Sequence, residues 1–312
     1  MLRTVTSRVK IDVLDQLSET DAQAVHAVLD AATAADAVAP VSEQVLLAMG
    51  AAVPGGRHLV VREESGAVIG YAHTEDAEPE EQRTVVGAEA VIAPEHRGQG
   101  IGRELLEKIT EGSTLARIWS HGDHPAARAL GAQLGYRVVR ELLQLRRPTN
   151  GLDGLPDPVL PEGVQLRTFR PGADDAAWLR VNSRAFSWHP EQGRMTQADL
   201  DARKAEPWFD PAGFFLAEAD GEVIGFHWTK VHPEGHGEVY VVGVDPDRHG
   251  GGLGTALTLA GLRHLAGLGL PAVTLYVEAD NAAALKVYHR LGFGQFAIDV
   301  VHEGPYPASA QH

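Results

Sequence analysis

The sequence predicts an α/β protein built from two tandem domains of one kind, each a mixed sheet flanked by helices. Three observations lead there: landmarks repeated in the same order in both halves, a Pro- and Gly-rich stretch near the middle, and strand patterns alternating with helical ones. In the first half, Val91-Ile92-Ala93-Pro94 precedes His96-Arg97-Gly98-Gln99-Gly100-Ile101-Gly102. In the second, Gly243-Val244-Asp245-Pro246 precedes Arg248-His249-Gly250-Gly251-Gly252-Leu253-Gly254. The Gly-x-Gly pairs lie 152 positions apart, and so do the prolines. Upstream, Val68-Ile69-Gly70 matches Val223-Ile224-Gly225; downstream, Leu134-Gly135-Tyr136 matches Leu291-Gly292-Phe293. Four landmarks in one order indicate a duplicated domain.

Between the copies, the stretch from Arg147 to Gly163 cannot continue a helix or a central strand, because its prolines remove backbone donors and its glycines loosen the chain. The expected boundaries are a first domain over 1–148, a linker over 149–162 and a second domain over 163–312. In the second half, Phe214 to Ala219 and Glu222 to Thr229 read as a hairpin turning at Asp220-Gly221. Glu238 to Val244 is β-branched and apolar, a buried strand. Thr255 to Leu268 carries helical apolar spacing at Leu257, Leu259, Leu262, Leu265 and Leu268. Ala272 to Val277 reads as a strand, Asn281 to Leu291 as a short helix, and Phe293 to Val301 as a last strand.

Composition narrows the function. The 312 residues carry a formal charge of -15. That balance opposes nucleic-acid binding, which needs a basic face. It permits an anionic ligand held by backbone N–H groups. The absence of cysteine excludes disulfides, thiolate metal sites and a cysteine nucleophile. The 15 histidines are scattered without metal-ligand spacing, so no metal is expected. No apolar run approaches the roughly 18 residues of a membrane span. Met1 to Asp12 lacks an apolar stretch, so no signal peptide is expected. A cytoplasmic monomer with no membrane or nucleic-acid partner is the expectation.

The most specific motif is a strand, a Pro turn, a Gly-rich loop and a helix. Glycines let the backbone approach a ligand closely, and the exposed N–H groups of the helix start favour a pyrophosphate. No Gly-Lys-Ser/Thr follows, so the loop is not a Walker motif, and it does not open a β-α-β unit as G-x-G-x-x-G does. Arg97-x-x-Gly100-x-Gly102 instead resembles the pyrophosphate loop of the GNAT superfamily of N-acetyltransferases. Asn281, Tyr288 and Leu291-Gly292-Phe293 resemble that superfamily's second coenzyme A motif.

The pieces Ala39-Pro40-Val41-Ser42-Glu43-Gln44, His189-Pro190-Glu191-Gln192-Gly193, Trp208-Phe209-Asp210-Pro211, Gly225-Phe226-His227-Trp228-Thr229-Lys230-Val231-His232-Pro233 and Gly237-Glu238-Val239-Tyr240-Val241 resemble the mycothiol synthase family of actinobacteria over nearly the whole chain. This resemblance implies two tandem GNAT domains with mostly antiparallel sheets, acetyl-CoA as cosubstrate, and a cysteinyl-glucosaminyl-inositol acetylated on its cysteine amine. It implies coenzyme contacts in the first half at Ala90, Val91, Ile92, Gly98, Gln99, Gly100, Ile101, Gly102 and Arg103. In the second half it implies them at Val242, Gly243, Val244, His249, Gly250, Gly251, Gly252, Leu253, Gly254 and Thr255, and again at Asn281, Ala282, Ala283, Ala284, Leu285 and Lys286. It also implies an acceptor site drawing on Glu43, Glu191, Lys230, Glu238 and Tyr276. His249 departs from the superfamily's usual Gln or Arg.

Acetyl transfer to an amine needs a base for the amine, donors for the thioester oxygen and an acid for the leaving thiolate. Glu238, at the start of the strand leading to the second loop, is the candidate base. Tyr288 is the candidate acid, and the backbone around Val242 to Val244 supplies candidate donors. In the first half, Val86 stands at the position of Glu238, Gly131 at that of Tyr288 and His124 at that of Asn281, while Glu89 falls opposite Val241. The first half is therefore expected to bind coenzyme without catalysing. A tandem acetyltransferase for another small amine, such as an aminoglycoside, and a coenzyme A sensor without catalysis remain open alternatives.

Overall fold

The computed structural model describes residues 9–50, 55–76, 83–149, 154–189 and 192–305. The chain divides into two units, one of Met1–Leu143 with Ala297–His312, the other of Gln144–Phe296.

The first unit runs β1 (Val9–Leu14), α1 (Glu19–Asp36), α2 (Glu43–Met49), β2 (Gly56–Glu63), β3 (Val68–Asp76), β4 (Val85–Ile92), α3 (Ile101–Ile109), β5 (Leu115–Ser120), α4 (Pro125–Gln133) and the first part of β6 (Arg137–Pro148). Strands β1 to β4 pair antiparallel in sequence order, and β4 pairs parallel with β5. Ser18 and Ser42 cap α1 and α2, their hydroxyls accepting the N–H groups of Asp21 and Val45. Helices α1 and α2 seal one face of the sheet against Val60, Tyr71 and Val91. Helix α3 covers the other face through Ile101, Leu105 and Ile109.

The second unit repeats the plan: the end of β6, β7 (Gln165–Thr168), α5 (Asp175–Ala185), α6 (Gln197–Lys204), β8 (Phe214–Ala219), β9 (Glu222–Val231), β10 (Gly237–Val244), α7 (Leu253–Gly267), β11 (Ala272–Glu278), α8 (Ala282–Arg290) and the first residues of β12 (Gly294–Gly304). Strands β7 to β10 are antiparallel neighbours and β10 pairs parallel with β11. The β8–β9 turn falls at Asp220-Gly221, both in the left-handed region (φ 53° and 79°), as the hairpin signal requires. Trp178 of α5 meets Phe214, Phe226 and Trp228 edge-on, which fixes that helix on the sheet. Helix α7, nearly all apolar, is buried on the opposite face through Leu253, Leu257, Leu262 and Leu265. Both units thus have the mixed, mostly antiparallel sheet with flanking helices that the sequence predicts.

The division of the chain departs from the sequence boundaries in three places, the first being the end of β6, whose Gln144 to Pro148 fall in the second unit. The C-terminal strand, placed by the repeat in the second half, joins the first unit: Val300 to Gly304 of β12 pair antiparallel with Ser120 to Ala116 of β5. Its physical reason is burial, since Val300 and Val301 are almost fully covered there. The expected linker belongs to the second unit. Arg263 bonds the Leu155 carbonyl at 2.9 Å, and Pro161 lies beside Gly251. Residues 150–153 of that stretch lie outside the described residues.

Candidate active site

In the second unit, the β10–β11 ladder holds from Gly237↔Val273 to Val239↔Leu275 and ends there. At the same level a bulge at Tyr240 shifts the β9–β10 register between Val239 and Val241. A bulge adds one residue to one strand and bends it. Strand β10 therefore leaves β11 halfway along, and among the described residues the ladder with β11 does not extend over Val241 to Val244. Val242, Gly243 and Val244, the expected polarising donors, lie on this stretch of β10. The glycine at 243 has a packing reason of its own, because a Cβ would meet Phe226 at 2.9 Å and Ala185 and Phe186 at 3.1 Å.

The loop after β10 places Gly250, Gly251 and Gly252 in succession in the left-handed region (φ 104°, 59° and 82°). Three such residues in a row are open only to glycine at low cost. Gly252 is the N-cap of α7 and offers no side-chain oxygen, so the first N–H groups of the helix, at Leu253 to Thr255, keep no side-chain cap. Space lies open in front of Gly250 and Gly252. This cradle of backbone donors fits a pyrophosphate. The first unit repeats it in shorter form. Gly98 and Gly100 are left-handed (φ 73° and 90°) with Gln99 between them, and Gly100 caps α3 without a side-chain oxygen, so Ile101 and Gly102 keep no side-chain cap while the Arg103 N–H bonds the Gly100 carbonyl at 3.0 Å.

His249 is explained by the same comparison. Its Nε2 lies 3.2 Å from the Val244 carbonyl, and Arg97, at the matching position, donates Nε–H to the Ile92 carbonyl at 3.0 Å. Both side chains brace the loop against the last residue of the preceding strand. The rest of the Arg97 guanidinium is taken by a two-pronged bond to Asp36.

Glu238 is 6% exposed and pairs across the hairpin with Lys230, itself 8% exposed. The Lys230 ammonium sits 4.5 Å from the Trp208 ring centre and 5.4 Å from that of Tyr240, whose hydroxyl accepts a 2.8 Å bond from Arg203. Aromatic faces stabilise a buried cation in this way. Glu238 Oε2 lies 2.5 Å from His232 Nε2. Thr274 is the parallel partner of Glu238 on β11, so Tyr276, two residues on, presents its half-exposed side chain (47%) on the same face of the sheet. The structure thus brings Glu238, Lys230 and Tyr276 to one sheet face.

Asn281 is the N-cap of α8, its side chain accepting the Ala284 N–H at 3.1 Å, with Ala282, Ala283, Leu285 and the exposed Lys286 on the helix it opens. Tyr288 lies on the buried side of α8 with its ring edge-on to Phe293, and burial pushes its phenol up to about 12. Glu43 is the first residue of α2 in the first unit. Glu191 lies outside the described residues.

The first unit is built differently at the matching level. Its parallel β4–β5 ladder continues to Glu89↔Trp119, two positions past the point matching Val239, and the β3–β4 pairing is regular throughout. Ala90, Val91 and Ile92 lie beyond that ladder. At its end the Glu89 carboxylate accepts the Ser42 N–H at 2.5 Å and hydroxyl at 2.7 Å, and meets His121 Nε2 at 3.1 Å. His121 Nδ1 in turn lies 3.3 Å from Asp299. Burial pushes His121 down, but the bonds to Asp299 and Glu89 outweigh it and raise the group to about 10. Burial likewise pushes Glu89 up, and the His121 bond and charge with the Ser42 donors bring it below 4.5. Glu89, the carboxylate three residues along β4 from the expected base position, is thus consumed in a buried cluster. Gly131, matching Tyr288, lies against the His302 ring, 3.2 Å from where a Cβ would stand.

Comparison with known proteins identifies the family. The GNAT acetyltransferase family matches residues 178–293, and a GNAT acetyltransferase domain matches residues 54–138, one in each half. A mycothiol acetyltransferase of Streptomyces coelicolor is 56% identical over 295 residues, covering 94% of both chains. One from Thermomonospora curvata is 51% identical over 294 residues, covering 94% of this chain and 97% of its own. The chain belongs to the mycothiol acetyltransferase family. It is an acyltransferase of tandem GNAT build, and GNAT membership carries acetyl-CoA binding with it. Among solved structures, a GNAT N-acetyltransferase from Sphaerobacter thermophilus superposes with a TM-score of 0.72 at 23% identity, covering 96% of each chain. A tandem GNAT protein from the clavulanic acid pathway gives 0.72 at 20% identity, covering 96% of this chain and 100% of its own. These two show the fold. Among the described residues, no group of three or more His, Cys, Asp or Glu is placed to hold a metal ion, and no helix is long and apolar enough to cross a membrane.

Sequence reasoning about this family member missed the residues around Glu238 and Lys230: His232, Trp208, Tyr240 and Arg203. Only His232 left a legible signal. A histidine just past the hairpin partner of a carboxylate falls on the carboxylate's own face.

Proposed function

We propose that this chain transfers the acetyl group of acetyl-CoA to the cysteine amine of cysteinyl-glucosaminyl-inositol, giving mycothiol, and that the second unit does the chemistry. The carrying observation is Glu238, a buried carboxylate opposite Lys230, placed where β10 parts from β11. Acetyl-CoA supplies an acetyl thioester. The N–H groups of Gly250 to Thr255 hold its pyrophosphate, and those of Val242 to Val244 polarise the thioester oxygen. Glu238 takes a proton from the acceptor's ammonium group, and the freed amine forms the new N–C bond as the C–S bond breaks. The Tyr288 phenol, held protonated by its raised pKa, supplies the proton the sulfur gains. Lys230, Tyr276, Glu43 and Glu191 are assigned to the acceptor's hydroxyls and amine by their match to the family.

The first unit is assigned coenzyme binding without catalysis. Its glycine loop supports the first part; Val86 at the base position and the Glu89–His121–Asp299 cluster support the second.

The test is coupled turnover with the cysteinyl pseudodisaccharide against a panel of amines that includes aminoglycosides, followed by mass spectrometry of the product. Preferred turnover of the pseudodisaccharide with acetyl on nitrogen is expected. Preference for another amine would replace the acceptor, S-acetyl product would replace the chemistry, and coenzyme binding without turnover of any amine would leave a sensor.

A further inference from the structure

The hairpin that carries Glu238 also carries an unassigned histidine in contact with it. His232 closes the β9–β10 turn through its backbone, its N–H bonding the His236 carbonyl and its carbonyl accepting from Gly235, both at 2.9 Å. Its ring is therefore not needed to close the turn. That ring stacks on His236 at 4.2 Å and 8° and turns Nε2 toward Glu238 Oε2 at 2.5 Å. Lys230 flanks Glu238 on the same face, directly across the hairpin and fixed over Trp208 and Tyr240. Facing an ionised carboxylate, which only accepts, the ring nitrogen must carry the hydrogen.

We propose that His232 is a positioning residue for acetyl transfer: it donates Nε2–H to Glu238 Oε2, fixes the carboxylate's rotation, and leaves Oε1 as the oxygen that meets the acceptor amine. His236 backs the ring so that it holds one orientation. This inference rests on Glu238 being the base. Its consequence is specific to the proton-transfer step, because a carboxylate free to rotate spends less time with a lone pair on the amine proton.

The experiment compares wild type with His232→Ala, His232→Gln and Glu238→Gln, reading kcat and both KM values together with proton NMR of the ring N–H groups. His232→Ala is expected to lower kcat by about tenfold, the scale of one hydrogen bond to a charged group, with the KM for acetyl-CoA unchanged. His232→Gln, which keeps an N–H donor at similar reach, is expected to recover most of that loss. In the NMR spectrum, a far-downfield ring N–H signal is expected in wild type, absent from His232→Gln and moved upfield in Glu238→Gln. Wild-type kcat in His232→Ala, no recovery by Gln, or no downfield signal sensitive to Glu238→Gln would each overturn the proposal. Glu238→Gln with wild-type turnover would instead overturn the base assignment itself, so the two failures are told apart. Should His232→Ala fail to fold, the Gln variant and the NMR signal still decide.

Discussion

At the scale of single residues, two carboxylates at nearly matching levels of the two sheets have opposite surroundings. Glu238 touches one imidazole and stands across the hairpin from Lys230, with one oxygen uncommitted to His232; Glu89 is tied by Ser42 and His121 on both oxygens. Glu238→Gln is expected to lower turnover by roughly 10²–10⁴-fold while acetyl-CoA still binds, because only the proton acceptor is removed. Near-normal turnover across a pH series would take the base role from Glu238. The Glu89 cluster is expected to act on stability instead. His121 is raised from 6.5 to about 10, so its contribution is complete below about 6.5 and fades as pH climbs toward 10. Glu89 is lowered from 4.5, so its share is present above that value and is lost as pH falls through the lower folded value. The first unit should therefore be most stable in mildly acidic solution and weaken on both sides. His121→Ala leaves two buried carboxylates facing each other, a loss of about 3–5 kcal/mol, and should abolish the alkaline decline. Thermal unfolding from pH 5 to 10 checks this; an unchanged alkaline slope in the variant would show that another group causes it.

At the scale of elements, the two glycine loops have one backbone plan and different settings. Gly100 and Gly252 occupy the same left-handed N-cap position with open space ahead, so a valine at either incurs a similar strain of about 1–2 kcal/mol. Activity should separate them. Gly252→Val is expected to abolish turnover, because the side chain fills the space before the donors of α7. Gly100→Val should leave most of it, because the first unit lacks counterparts of Glu238 and Tyr288. Equal loss in two well-folded variants would make the first loop essential. These loops were readable in sequence because glycine adopts positive φ at far lower cost than other residues, so successive glycines mark the backbone conformation. The strands were readable too, with β9 running two residues past the expected end at Thr229. The parting of β10 from β11 was not readable. It depends on a bulge at Tyr240, which no residue type marks, and on where a parallel ladder stops. Nor was the cage around Lys230, since Trp208, Arg203 and Tyr240 meet only once α6 and the sheet are packed.

At the scale of the whole molecule, the repeat made the duplication visible but concealed the ownership of the last strand. Sequence order assigns β12 to the second copy, whereas pairing and burial assign its Val300 to Gly304 segment to β5 of the first unit. Three contributions depend on it there. Val300 and Val301 are 0% and 4% exposed, each worth about 1.5–3 kcal/mol of buried side chain. Asp299 holds His121 on the side away from Glu89 and also accepts the Gly122 N–H at 2.8 Å. Glu303 bonds Arg117 of β5 at 2.7 Å. Deleting residues 297–312 should therefore destabilise the first unit, far from it in sequence. Its loss exposes one edge of β5 and strips a partner from a buried imidazolium, and the sum approaches the typical stability of a whole domain. Hydrogen exchange on the truncated chain is expected to show β4 and β5 losing protection while β8 and β9 keep theirs. The reverse pattern would return the last strand to the second copy.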